Sequence, residues 1–153
     1  MARTQFVAWS HRTSASSGRD ILIIEDNEKN RKLERDILQF HGYRTVEADT
    51  AEEGIRLAQA APPALVLMDI QLPGMNGIDA LHQLRCDPRT RAIPVIAVTA
   101  SAMTQDRQKI MAAGFDGYQP KPIESPSSLR RCVTRSVAPQ WRIVRDVDAS
   151  PPP

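Results

Sequence analysis

The chain has 153 residues, 41% of them hydrophobic and 25% charged, with a formal net charge of +2. That composition supports one packed domain of ordinary size, and no apolar run approaches the ~20 residues a membrane span requires. Residues 20–123 hold 12 basic and 15 acidic side chains, so the basic excess belongs to the two ends, which disfavours a nucleic-acid-binding domain.

Residues 1–19 contain Ser14, Ser16, Ser17 and three arginines but no acid. The segment has no apolar stretch of signal-peptide type and is expected to be a flexible leader, though a transit-like leader shares the composition. From Asp20 onward, strand and helix patterns alternate. Ile21 to Ile24 is a short apolar run and predicts a buried strand. Leu33, Ile37 and Phe40 follow at helical spacing, and His41-Gly42 stops that helix. Tyr43 to Glu47 predicts a second strand. Ala51, Ile55 and Ala58 line one face of a second helix, closed by Pro62-Pro63. Ala64 to Met68 is a third strand, and Ile78, Leu81 and Leu84 mark a third helix. Ile93 to Val98 is a β-branched fourth strand. Met103, Arg107, Ile110 and Met111 predict a fourth helix ending at Gly114, and Phe115 to Gln119 a short fifth strand. Leu129, Cys132, Val133 and Val137 recur at i, i+3, i+4, i+8 and predict a fifth helix. Beyond it, residues 138–153 are expected to form a proline-rich tail, too short to hold a second domain. Cys86 and Cys132 lie in predicted helices without C-x-x-C spacing, so neither a disulfide nor a zinc framework is indicated, and a reducing cytoplasm is expected.

Five βα units imply a parallel sheet covered by helices on both faces. The flavodoxin-like order 2-1-3-4-5 suits five strands and places Pro120, which lacks an N–H, on an edge strand. In that order the ends of strands 1, 3, 4 and 5 bring Glu25, Asp26, Asp69, Thr99 and Lys121 together at the carboxyl edge of the sheet. Three carboxylates held that close repel one another, and a hard divalent cation with oxygen ligands, Mg²⁺ above all, relieves the repulsion. A phosphoryl group in transfer carries negative charge on its equatorial oxygens. The Lys121 ammonium and the Thr99 hydroxyl can stabilise that charge while Asp69 serves as nucleophile. Each residue alone is commonplace as a cap, turn or surface residue; the four strand ends together carry the reading.

The turn after Asp69 is suited to a rigid site. In Leu72-Pro73-Gly74-Met75, Pro73 fits position i+1 and Gly74 the positive φ at i+2 of a type II turn. Asn76 can cap the third helix. The Lys121–Pro122 bond is open to either isomer.

Four segments resemble the receiver domain of bacterial two-component response regulators: residues 21–30 (ILIIEDNEKN), 65–77 (LVLMDIQLPGMNG), 94–100 (PVIAVTA) and 117–123 (GYQPKPI). The likeness runs from Asp20 to roughly Val137 and is nearest to single-domain receivers or those associated with hybrid kinases. It implies a phosphorylation-dependent switch: Mg²⁺-dependent phosphoryl transfer from a phosphohistidine of a sensor histidine kinase or phosphotransfer protein to Asp69, with no independent enzyme activity. By the same likeness Asp26 ligates Mg²⁺, Glu25 assists through water and the Gln71 carbonyl is a backbone ligand. Thr99 and Lys121 contact the phosphoryl group, and Tyr118 matches the family's aromatic switch; an ordinary half-buried strand tyrosine is the alternative. Gln71 and Ser101 flank the site and regulate water access. Output is expected through contact with a downstream protein, without nucleic acid or membrane, from a monomer or weak homodimer.

The Pro-Lys-Pro run at 120–122 departs from the family pattern, as does the polar segment 124–128. Ser125 and Pro126 still suit a helix start, and Arg130, Arg131 and Arg135 make its outer face basic. Rival readings are a constitutive adaptor with a silent acceptor, a phosphohydrolase with an aspartyl nucleophile, and an FMN-binding protein. Gln71 stands where the phosphohydrolase chemistry favours a second Asp, and an acidic pocket repels a flavin phosphate.

Overall fold

A computed structural model describes residues 20–100 and 103–123. The expected fifth helix, the leader, the tail, Ser101 and Cys132 lie outside the described residues. The apolar runs become strands β1 (Asp20–Ile24), β2 (Arg44–Ala48), β3 (Leu65–Asp69), β4 (Val95–Thr99) and β5 (Gly117–Pro120). The periodic segments between them become helices α1 (Glu28–Phe40), α2 (Ala51–Ala60), α3 (Gly77–Cys86) and α4 (Thr104–Ala113). All strand pairs are parallel, in the expected order β2-β1-β3-β4-β5.

Every residue of β3 and β4 is buried, as continuous Leu/Val/Ile runs in a sheet covered on both faces should be. Alternation then sorts the side chains. Ile21, Ile23, Leu65, Leu67, Ile96 and Val98 pack on one face with Leu38 of α1 and with Ile123. Leu22, Ile24, Val66, Met68, Val95 and Ala97 pack on the other with residues of α2, α3 and Ile110 of α4. Each such large side chain contributes about 1.5–3 kcal/mol by leaving water. Asn27, Thr50 and Asn76 cap α1, α2 and α3 through side-chain oxygens that accept backbone N–H bonds, worth about 1 kcal/mol each.

The inward face of α1 differs from the sequence expectation. Leu33 is 42% and Phe40 85% exposed, whereas Glu34 and Leu38 are buried. Ile37 packs partly buried against the core as expected, but the most buried line of the helix is shifted by about one residue, roughly 100°, with Leu38 joining the cluster of Ile21, Ile23 and Leu65. In α4 only Ile110 is buried, and the expected apolar residues Met103 and Met111 are exposed. The strand ends also move. β3 runs to Asp69 and β4 to Thr99, so both residues lie within the ladder, with Asp69 in register with Val98. β5 starts at Gly117 and includes Pro120 on the sheet edge, beside Thr99. No helix among the described residues is long and apolar enough to cross a membrane.

Candidate functional site

Asp69 closes β3 and is 4% exposed. Its Oδ1 accepts the Gln71 N–H at 3.0 Å, which fixes the carboxylate against the turn that follows. Glu25 directly follows β1 and is buried; its N–H donates to Ala48 O at 3.0 Å, and its Oε1 accepts the Asn27 N–H at 3.0 Å. Asp26 is exposed at the rim. Glu25, Asp26 and Asp69 each offer one carboxylate oxygen, and these three atoms lie within 4.8 Å of one another.

Lys121 enters from β5. Its N–H donates to Thr99 O at 2.8 Å, and its bond to Pro122 is cis. The ammonium lies 2.6 Å from Glu25 Oε2 and 3.1 Å from Asp69 Oδ2. Burial alone would lower the Lys121 pKa, but the Glu25 and Asp69 carboxylates more than offset it and hold it above its ordinary value. Thr99 is buried beside it at the end of β4. Tyr118 is half-buried on β5, with the Arg107 guanidinium 5.0 Å from its ring centre. Gln71 is exposed beside Asp69.

The sequence pattern of the response regulator receiver domain matches residues 21–133. The chain belongs to this family. It is 44% identical over 108 residues to the polar-differentiation response regulator DivK of Brucella ovis, covering 71% of this chain and 88% of that protein, and it matches DivK of Brucella anthropi to the same degree. The receiver domain of a sensor histidine kinase from Pseudomonas aeruginosa has a TM-score of 0.67 at 29% identity, covering 87% of this chain and 99% of that one; it holds a magnesium ion in its active-site cleft. The N-terminal domain of a response regulator receiver protein from Methanoculleus marisnigri has a TM-score of 0.63 at 33% identity, covering 68% and 85%.

The receiver site thus gathers Glu25, Asp26, Asp69, Thr99 and Lys121, as the strand order required. Three carboxylates against one ammonium leave the cleft negative. The all-oxygen donor set suits a hard cation such as Mg²⁺, with room for solvent at the exposed Asp26 side. The turn after Asp69 has the expected form: Gly74 has φ +77, and Asn76 Oδ1 accepts the Asp79 N–H at 2.9 Å. Gly77 lies so close to the site that a Cβ there would stand 2.7 Å from Asp69 O. Its lack of a side chain lets α3 begin directly against the end of β3.

Two residues near the receiver site went unrecognised in the sequence. Glu34 is buried on α1, and with Asn30, Leu33, Ala100, Lys121, Pro122 and Ile123 it lines a cavity of about 250 Å³. Burial, then the negative charge of Glu25, push its carboxyl up to about 8. Arg31 donates from Nη1 to Glu25 O at 2.8 Å. Glu34 falls at i−4 from Leu38, and that spacing was the available signal. An arginine bonded to a backbone carbonyl leaves no sequence signature.

Proposed function

We propose that this receiver accepts a phosphoryl group on Asp69 from a phosphohistidine of a sensor histidine kinase or histidine phosphotransfer protein. The observation that carries the reading is the set of three carboxylate oxygens within 4.8 Å, with the Lys121 ammonium against two of those side chains. Asp26, Asp69, Glu25 (through water) and the Gln71 carbonyl would hold Mg²⁺, which when bound neutralises charge on the cleft and on phosphoryl oxygens.

In the transfer, an Asp69 carboxylate oxygen forms a bond to phosphorus. The P–N bond to the donor imidazole breaks, and its electron pair returns to the ring nitrogen. Lys121 releases its carboxylate partners in part to pair with a phosphoryl oxygen, and the Thr99 hydroxyl donates to another. Because Thr99 lies in register with Pro120 on β5, movement of Thr99 toward the phosphate is coupled to the strand that carries Tyr118, whose ring then turns inward. This is a charge change biasing a two-state element. The phosphate leaves Asp69 slowly, with Gln71 and Ser101 regulating water access, so the domain works as a switch rather than as a turnover enzyme. Output is by contact with a downstream protein, in the cytoplasm, from a unit taken to span residues 20–137.

The reading is tested by phosphotransfer from a phosphorylated histidine kinase. Label should move to the wild-type chain in the presence of Mg²⁺, remain on the kinase when Mg²⁺ is chelated, and fail to reach Asp69→Asn. Equal labelling of Asp69→Asn would remove Asp69 as acceptor.

A further inference from the structure

Asp26 has an unusual support. Its carboxylate is one of the three clustered oxygens, yet among the described residues no hydrogen bond or ion pair holds that side chain. Its position therefore depends on the backbone that presents it. The peptide joining Glu25 to Asp26 is pinned from α1: Arg31 Nη1 donates to Glu25 O at 2.8 Å. The guanidinium is itself oriented by β2, with Nε 3.3 Å from Glu47 Oε1. Glu47 is fixed in turn by Arg35 Nη1, at 3.2 Å from Oε2. A chain of charged groups thus runs from β2 through α1 to the peptide between two of the cluster's carboxylates.

We infer that Arg31 is a positioning residue for the cation site, holding the Glu25–Asp26 peptide so that Asp26 faces Asp69 before any metal arrives. The inference rests on the proposed Mg²⁺ site. Arg31 touches neither metal nor phosphoryl group; it acts through the Glu25 carbonyl. A planar guanidinium suits the task because it presents Nε to Glu47 and Nη1 to the carbonyl in one rigid fork. A lysine carries the same charge at one point and cannot span both.

The experiment is titration of Mg²⁺ alone into the full chain by calorimetry, for wild type, Arg31→Met, Arg31→Lys, Glu47→Gln and Asp26→Asn. Loss of support around a ligand should weaken Mg²⁺ about tenfold in Arg31→Met, with smaller losses in Arg31→Lys and Glu47→Gln. The same Arg31 variants, phosphorylated with acetyl phosphate, should need about tenfold more Mg²⁺ for half-maximal rate while recovering the wild-type rate to within about twofold at saturation. Amide NMR signals of Asp26 and Asn27 should shift in the metal-free Arg31→Lys variant, which keeps the charge facing Glu47 and serves if Arg31→Met does not fold. Wild-type Mg²⁺ affinity in the Arg31 variants, alongside lost binding in Asp26→Asn, would overturn the role given to Arg31. Undiminished binding in Asp26→Asn would instead overturn the metal site itself. An unrecovered limiting rate at saturating Mg²⁺ would show a general structural defect and also overturn the inference.

Discussion

Lys121 Nζ stands 3.1 Å from Asp69 Oδ2, so the proposed acceptor carboxylate is already paired with the cation proposed to meet its phosphate. The same ammonium is closer still to Glu25, at 2.6 Å. In the metal-free protein Lys121 therefore neutralises part of a cluster that a divalent cation would otherwise neutralise.

Removing that ammonium should have two opposite effects. Lys121→Met leaves two buried carboxylates without their partner and should cost roughly 3 kcal/mol of stability without metal. It should also bind Mg²⁺ more tightly, because the ammonium no longer competes for Glu25 and Asp69. Thermal unfolding with and without Mg²⁺ measures both. A variant as stable as wild type in chelator, with unchanged Mg²⁺ affinity, contradicts the pairing.

Glu34 gives the metal-free protein a pH-dependent stability. Its carboxyl titrates near 8 in the fold, against the ordinary 4.5. Between those values the folded chain keeps a proton that the unfolded chain releases, so stability falls as pH rises through that window. The penalty is absent below pH 4.5 and fully present above about 8. Glu34→Gln should flatten this slope and raise the midpoint of unfolding at pH 8, by an amount corresponding to a few kcal/mol. Denaturant unfolding at several pH values in chelator checks it. An identical slope in wild type and variant contradicts the assignment to Glu34.

Gly77→Ala should strain the end of β3. The added Cβ would meet Asp69 O at 2.7 Å, and the obstacle is backbone that cannot swing aside. A cost of about 1–3 kcal/mol is expected, with lower phosphorylation at equal Mg²⁺. Urea unfolding gives the first and acetyl phosphate labelling the second.

The proposed switch residue Tyr118 has a cationic neighbour in Arg107. Its guanidinium lies 5.0 Å from the ring centre, a contact worth about 0.5–1 kcal/mol at an exposed site. Because the contact holds the ring in its present position, Arg107→Gln should raise the inward population about two- to fivefold. Aromatic NMR signals of Tyr118 report this before and after phosphorylation. Unchanged populations would leave Arg107 without a part in switching.

Most of the fold was legible because the three central strands, β1, β3 and β4, are near-continuous apolar runs. A parallel sheet covered on both faces buries segments such as Leu65–Asp69 completely. The strand order then brought Glu25, Asp26, Asp69, Thr99 and Lys121 to one edge without further assumption. The inward faces of α1 and α4 were less legible. Of the stripe Leu33, Ile37 and Phe40, Ile37 packs against the core while Leu33 and Phe40 face out, and the sheet takes Leu38 and Glu34 in their place. At α4, the N-cap Met103 and Met111 mimic a buried stripe, while Ile110 is the buried residue of the helix. Arg31 was invisible for a different reason: its partner at the site is a backbone carbonyl.

The central claim, that Asp69 accepts the phosphoryl group, is tested most directly by intact-mass spectrometry after incubation with Mg²⁺ and acetyl phosphate. Wild type should gain one phosphoryl mass that survives acid, is lost in base and maps to Asp69, and Asp69→Asn should gain none. A phosphoryl group of equal yield on Asp69→Asn, or its mapping to another residue in the wild type, would contradict the account.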